Sequence, residues 1–213
     1  MRVHTFTEAG GHPHNEDALR VEPHPADPSV LLVALADGQG GRAGGARAAQ
    51  LAADRAIELA GQQKASVLGW FVWQDILRRV DATVAADPAA GFTTLVAFAV
   101  FADGPIEGAS CGDSALLVVD PDERQVWTSR QEKNPPVGSG GAPFTPFDGT
   151  PVAPWQLVAM TDGVWKYAGW PAVTHLAGEL RGEDLIAALA ARARLPGSGT
   201  FPDDFTVAVI SSE

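Results

Sequence analysis

The sequence predicts an α+β fold in which two mainly antiparallel sheets pack face to face and helices cover their outer sides, a four-layer α-β-β-α sandwich. Three observations lead there. Apolar runs of strand length are separated by Asp-Gly, Gly-Asp and Pro-Asp turns, which join antiparallel neighbours. Helical spacing of apolar residues is confined to a few segments. So few helices cannot cover one large sheet on both faces unless strands stack on strands. With 213 residues and 46% hydrophobic content, the chain reads as a single domain over 1–213.

A strand over Val3 to Thr7 leads through Gly10 and Gly11 to a second over Ala18 to Glu22. The Pro-rich turn Pro23 to Pro28 precedes a strongly apolar strand, Val30 to Ala36, so the chain opens as a β meander. Between Ala43 and Ala60, residues Ala46, Ala49, Ala53, Ala56, Ile57 and Ala60 recur at helical spacing, with Gly61 as the stop signal. Val67, Leu68, Phe71, Val72, Leu77, Val80 and Val84 mark a second amphipathic helix ending near Asp87 and Pro88, with Trp70 and Phe71 expected in the core. Strands follow over Thr93 to Phe101, Ile106 to Cys111, Ala115 to Val119 and Gln125 to Thr128. The Pro- and Gly-rich stretch Asn134 to Pro154 reads as an irregular surface loop. Gln156 to Met160 resumes a strand, Ala172 to Ala177 and Glu183 to Arg194 read as helices, and Phe205 to Ile210 closes the chain as a strand.

Composition excludes several functions. A formal net charge of -11 argues against nucleic acid, because binding a phosphate backbone requires a basic face that displaces counterions. Cys111 is the only cysteine, so neither an intrachain disulfide nor a thiolate zinc cluster can form, and its Ala-Ser-Cys-Gly setting suggests a buried strand end. No run of eighteen apolar residues occurs and Met1 to Gly10 lacks an export signal's layout, which predicts a cytoplasmic protein without a membrane partner.

The informative pattern is the position of the acids. Asp17 precedes a strand, Asp37 follows one, Asp162 lies just past another and Asp203 precedes the last. Carboxylates gathered at one place repel and take up protons unless cations neutralise them, and their hard oxygens suit magnesium or manganese. Each Asp-Gly pair alone, at 37 to 38 or 162 to 163, is also ordinary turn chemistry.

Taken in series, the motifs Asn15-Glu16-Asp17-Ala18, Ala36-Asp37-Gly38-Gln39-Gly40-Gly41, Gly91-Phe92-Thr93-Thr94, Cys111-Gly112-Asp113-Ser114, Thr161-Asp162-Gly163-Val164-Trp165 and Asp203-Asp204-Phe205-Thr206-Val207 span nearly the whole chain. In this order they resemble the metal-dependent Ser/Thr protein phosphatases of the type 2C (PPM) family, in its small bacterial form. The resemblance implies that Asp37 bridges two divalent cations, Mn or Mg, with the Gly38 carbonyl on one of them, and that Asp162 and Asp203 complete the ligands of the other. Asp17 and Glu16 match acids that act near the pair, Glu16 through metal-bound water, and Asp113 matches a residue that helps hold a third, weaker metal in some members. The implied reaction is one-step attack by a metal-bridging hydroxide on a phosphoserine or phosphothreonine, without a phosphoenzyme. Substrates would be phosphorylated proteins, in opposition to a Ser/Thr kinase.

The sequence departs from that pattern in several places. Where many members carry a phosphate-gripping arginine stands His12, which leaves His12, His14 or Arg42 as the candidate phosphate contacts. Gln39 replaces a histidine of animal members, Asp204 stands where Asn is usual, and the short stretch from Asp113 to Asp162 implies a reduced flap and a more open site. No Gly-x-Ser-x-Gly elbow surrounds Ser114, so a serine nucleophile is not indicated. Two other readings stay open: a non-catalytic module of the same fold that binds phosphoproteins, and a hydrolase of small phosphate esters.

Overall fold

The computed structural model describes residues 1–11, 14–39, 44–102 and 104–212. Two five-stranded sheets are formed, with strand order β1-β10-β9-β6-β7 in one and β2-β3-β4-β5-β8 in the other, and every pairing among their strands is antiparallel. The first sheet comprises β1 (Arg2–Glu8), β6 (Ala115–Val119), β7 (Arg124–Val126), β9 (Gln156–Met160) and β10 (Phe205–Ser211). The second comprises β2 (Asp17–His24), β3 (Asp27–Asp37), β4 (Leu95–Phe101), β5 (Ile106–Cys111) and β8 (Thr145–Gly149). Helices α1 (Gly45–Gly61) and α2 (Trp70–Ala86) cover the second sheet; α3 (Asp162–Ala168), α4 (Trp170–Glu179) and α5 (Gly182–Ala193) cover the first.

The central strands are apolar along their whole length because both of their faces are buried. Side chains alternate across the pleat, and the alternation sorts them into separate cores. In β3, Leu32 and Ala34 pack toward α1 and α2, while Val33 and Leu35 pack between the sheets. In β4, Ala97 and Ala99 face the helices and Val96, Phe98 and Val100 face the other sheet. Across the gap, Leu157, Ala159, Ala208 and Ile210 complete the layer between the sheets, and Val158, Val207 and Val209 turn outward to α3, α4 and α5. The alanines of β4 meet an alanine face on α1 formed by Ala48, Ala49, Ala52, Ala53 and Ala56.

The four-layer expectation therefore holds, with local corrections. Trp70 and Phe71 are not in the core: they are 43% and 68% exposed. The buried stripe of α2 runs through Trp73, Ile76, Leu77, Val80 and Val84, and Phe71 lies on the opposite face with the exposed Asp75 and Arg78. Val67 belongs to a separate 3₁₀ turn, Ala65–Val67, and is also exposed. The Glu107 carboxylate accepts the Trp70 backbone N–H at 2.7 Å, capping α2 at its start.

The stretch from Asn134 to Pro154 is likewise not a surface loop. It contains β8, which pairs with β5, and it buries Val137, Ala142, Phe144 and Phe147. Asp81 of α2 holds it down, its buried carboxylate accepting backbone N–H groups of Gly138 (2.6 Å), Gly140 (3.2 Å) and Ala142 (3.0 Å). No helix among the described residues is long and apolar enough to cross a membrane.

Candidate functional site

β2 and β3 are in a register that places Asp17 directly opposite Asp37 at the end of the ladder. Side chains of directly opposed residues on one face are neighbours, so these acids are brought together by strand pairing alone. Asp162 opens α3 immediately after β9, and Asp203 precedes β10, the strand beside β9. One cleft of about 620 Å³ at the ends of both sheets is lined by Asp37, Gly38, Asp113, Asp162 and Asp203 together with Glu16. Asp17 stands behind Asp37, and Gln39 is on the cleft wall.

The residues that accompany the acids in each motif act on their neighbours. Thr94 accepts the Asp37 N–H on its hydroxyl (3.0 Å) and donates its own N–H to the Asp37 carbonyl (2.9 Å). The Thr93 hydroxyl donates to the same carbonyl (2.8 Å), so the Thr-Thr pair fixes the Asp37 backbone from both sides. Ser114 is fully buried and shares a hydrogen bond with the Thr94 hydroxyl at 2.8 Å, which gives it a framework role and no access to substrate. Thr161 donates to the Asp17 carboxylate at 2.9 Å, and the Trp165 indole N–H donates to the Asp113 carbonyl at 3.0 Å. Gly112 adopts φ +123°, a conformation in which a side chain would be strained, and its missing Cβ leaves room for Thr94.

Burial and mutual repulsion make these acids unusual. Burial, reinforced by the charges of Asp17, Asp162, Asp113 and Asp203, pushes the Asp37 carboxyl up to about 9. Burial also pushes Asp17 up to about 7, against the opposing effect of hydrogen bonds from Thr206 and Thr161. Asp162 is raised as well, chiefly by burial and by Asp113, with Lys166 at 3.5 Å pulling the other way. Among the described residues, Lys133, paired with Asp113, is the other counter-charge on the cleft wall.

This donor set fits hard divalent cations. It is composed of oxygens, it is under-compensated in charge, and the Glu16 Oε2 atom is buried without a hydrogen-bond partner among the described residues. Among the described residues no three acidic, His or Cys side chains stand close enough to form a ready-made metal shell; like charges without cations favour that separation. His12 and Arg42 lie outside the described residues. Lys133, Asn134 and Pro136 line the cleft without having been indicated by the sequence. Asp204, singled out only as a departure, turns out to be structural: its carboxylate accepts the N–H groups of Gly10 (2.7 Å) and Glu16 (2.6 Å).

A family model described as Stage II sporulation protein E (SpoIIE) matches residues 27–213. The chain belongs to the SpoIIE family. The matched span of this SpoIIE-family chain contains Asp37, Asp113, Asp162 and Asp203, and leaves out the strand that carries Asp17. No curated protein matches the sequence significantly. By structure, the chain is similar to a bacterial serine phosphatase (TM-score 0.82, 18% identity, 100% of this chain and 98% of the other). It is similarly close to the Mycobacterium tuberculosis serine/threonine phosphatase PstP/Ppp (0.79, 18%, 100% and 98%). The catalytic domain of PstP in complex with two manganese ions superposes with a TM-score of 0.76 at 20% identity, covering 98% of this chain and 96% of that one. These similarities bear out the type 2C fold expected from the motifs.

Proposed function

We propose that the chain, acting as one domain over residues 1–213, is a metal-dependent phosphatase that removes phosphate from phosphoserine and phosphothreonine in proteins. The observation that carries this reading is the convergence of Asp37, Asp113, Asp162 and Asp203 on one cleft, in a fold shared with serine/threonine phosphatases. The two manganese ions of the PstP complex support a pair of divalent cations here. Mn and Mg both suit the oxygen donors, with Asp113 available to a third ion.

In this reading Asp37 and Gly38 hold the cation pair together with Asp162 and Asp203, and Asp17 and Glu16 support it from behind. When bound, such cations supply a water acidic enough to attack and they screen the phosphoryl oxygens. The chain's own residues do the positioning. Thr93 and Thr94 fix Asp37, Thr161 orients Asp17, and Asp204 ties the Glu16 backbone to the start of β10. Among the described residues, Lys133 is the basic side chain on the cleft wall, and His12 and Arg42 remain the proposed phosphate contacts. The partners would be a phosphorylated protein and the Ser/Thr kinase it opposes.

The test is hydrolysis of an aryl phosphate and of a phosphothreonine peptide, with and without manganese, by the wild type and by Asp162→Asn. Manganese-dependent turnover of both compounds, reduced at least a hundredfold in the variant, is the expected result, on the scale by which metal-site chemistry depends on its ligands. Turnover of neither would leave a phosphoprotein-binding module. Turnover of the aryl compound alone would leave a hydrolase of small esters.

A further inference from the structure

Two of the chain's three lysines stand at the acidic cleft. Lys133 pairs with Asp113 on one side. Lys166 is on α3, one helical turn after Asp162, with its Nζ 3.5 Å from the Asp162 Oδ2. Its side chain is 52% exposed against 19% for Asp162, so the ammonium lies at the rim, outside the carboxylate. Asp203, which lines the cleft with Asp162, also acts on it: Asp162 first, then Tyr167 and Asp203, hold the lysine above its ordinary value. Lys166 therefore stands in the field of two cleft acids.

The pair with Asp162 is loose. A well-made charge-assisted hydrogen bond spans about 2.7–2.9 Å, and an ammonium carries three donors on a flexible four-carbon stem. Half-exposed, Lys166 can shift by a few ångströms at little packing cost. Asp162 is also a proposed holder of a divalent cation. The ammonium compensates that carboxylate but, being of the same sign, opposes a dication bound to it. A phosphate dianion at the cleft mouth reverses this balance, because its oxygens accept hydrogen bonds from the ammonium and its charge offsets the repulsion.

We infer that Lys166 is a phosphate-binding residue of the cleft, which passes from Asp162 to the phosphate group of the substrate and so couples phosphate binding to cation binding. The inference rests on the phosphatase reading and deepens it by assigning a phosphate contact on α3. Coupling of this kind is reciprocal: phosphate tightens the cation as much as the cation tightens phosphate.

The test is calorimetric titration of wild type, Lys166→Met and Lys166→Arg with manganese alone, and of the manganese-loaded proteins with inorganic phosphate, alongside KM for a phosphothreonine peptide. Lys166→Met should bind manganese alone a few-fold more tightly, because the competing ammonium is gone. The same variant, once loaded, should bind phosphate roughly tenfold more weakly, the scale of one hydrogen bond between charged groups, and KM should rise by a similar factor. Lys166→Arg keeps the charge and should restore phosphate binding to within about threefold of the wild type. Tighter manganese binding in Lys166→Met with unchanged phosphate affinity would reduce Lys166 to an ordinary helix-surface pair and overturn the inference. A wild type that takes up manganese but no phosphate would overturn it as well. Absence of aryl phosphate turnover in the wild type would instead count against the phosphatase reading, while the phosphate titrations, which need no turnover, would still decide the role of Lys166.

Discussion

The carboxylate of Asp204 accepts the backbone N–H of Glu16 at 2.6 Å, and with its other oxygen it accepts the N–H of Gly10 at 2.7 Å. A residue that adds a negative charge to an already acidic neighbourhood thereby fastens the β1–β2 connection to the start of β10. Gly10 sits against this junction so closely that a Cβ would lie 1.8 Å from the Asp203 carbonyl oxygen. Hydrogen bonds to a charged acceptor are worth about 1.5–3 kcal/mol each, so Asp204→Ala should cost about 3 kcal/mol in urea unfolding. Asp204→Asn retains a single acceptor oxygen and should cost roughly half of that. Equal midpoints for the wild type and both variants would show that the connection is held by something else.

The raised carboxyls of Asp17 and Asp37 make a signed prediction about pH. Both titrate higher in the folded protein, about 7 and about 9, than the ordinary value near 3.8. The folded state therefore binds more protons than the unfolded chain over that interval, and metal-free stability falls as pH rises above about 4. The loss levels off above about 7 for Asp17 and above about 9 for Asp37. Asp27, Asp87 and Asp120 are shifted down and act in the opposite sense, at pH below about 4 where they leave the window clear. In chelator the melting temperature should decline from pH 5 to pH 9, and the rise produced by manganese should grow over the same range, because the cation replaces protons. A manganese-induced rise independent of pH would contradict this account.

The strands were legible because their apolar runs are long and bounded by turn residues; Ile106 to Cys111, Ala115 to Val119 and Gln156 to Met160 fall where the sequence places them. The short helix α3 was not, because seven residues hold barely two turns and its opening Thr-Asp-Gly reads as a turn. β8 was hidden by Pro146 and Gly149, which a strand accepts at the edge of its sheet. Trp70 and Phe71 have the aromatic character of core residues but the wrong phase: Phe71 shares its helical face with Asp75 and Arg78 rather than with Trp73, Ile76 and Val80. At the site, the placement of Asp17, Asp37, Asp162 and Asp203 at strand ends was legible in the sequence, whereas Lys133 and Asn134 reach the cleft through the path of the segment after β7. No local pattern reports that path.

Asp81 is buried and its carboxylate receives the N–H groups of Gly138, Gly140 and Ala142. That segment also supplies Val137, whose backbone exchanges hydrogen bonds with Thr93, the residue that fixes Asp37. Asp81→Ala would leave these donors without an acceptor at a cost of about 3 kcal/mol. The loosened segment should also weaken manganese binding, although Asp81 does not line the cleft. The two effects are separable by comparing unfolding midpoints with manganese titrations well below the melting temperature. Normal stability in Asp81→Ala would refute the anchoring role.

Lys133 and Asp113 form an ion pair at the mouth of the cleft, with the lysine side chain 62% exposed and the aspartate 21% exposed. An exposed pair contributes little to stability, about 0–1 kcal/mol, so Lys133→Met should leave the unfolding midpoint nearly unchanged. Its electrostatic consequence is larger, because the ammonium competes with any cation that Asp113 would hold. Removing it should strengthen the weakest phase of manganese binding by roughly threefold at low ionic strength, an effect that shrinks as added salt screens the charge. Calorimetric titration of wild type and variant at low and high salt measures both the change and its screening. If Lys133 instead contacts the substrate phosphate, the same variant will raise KM for the phosphopeptide while manganese binding stays as in the wild type, which separates competition at Asp113 from a grip on the substrate.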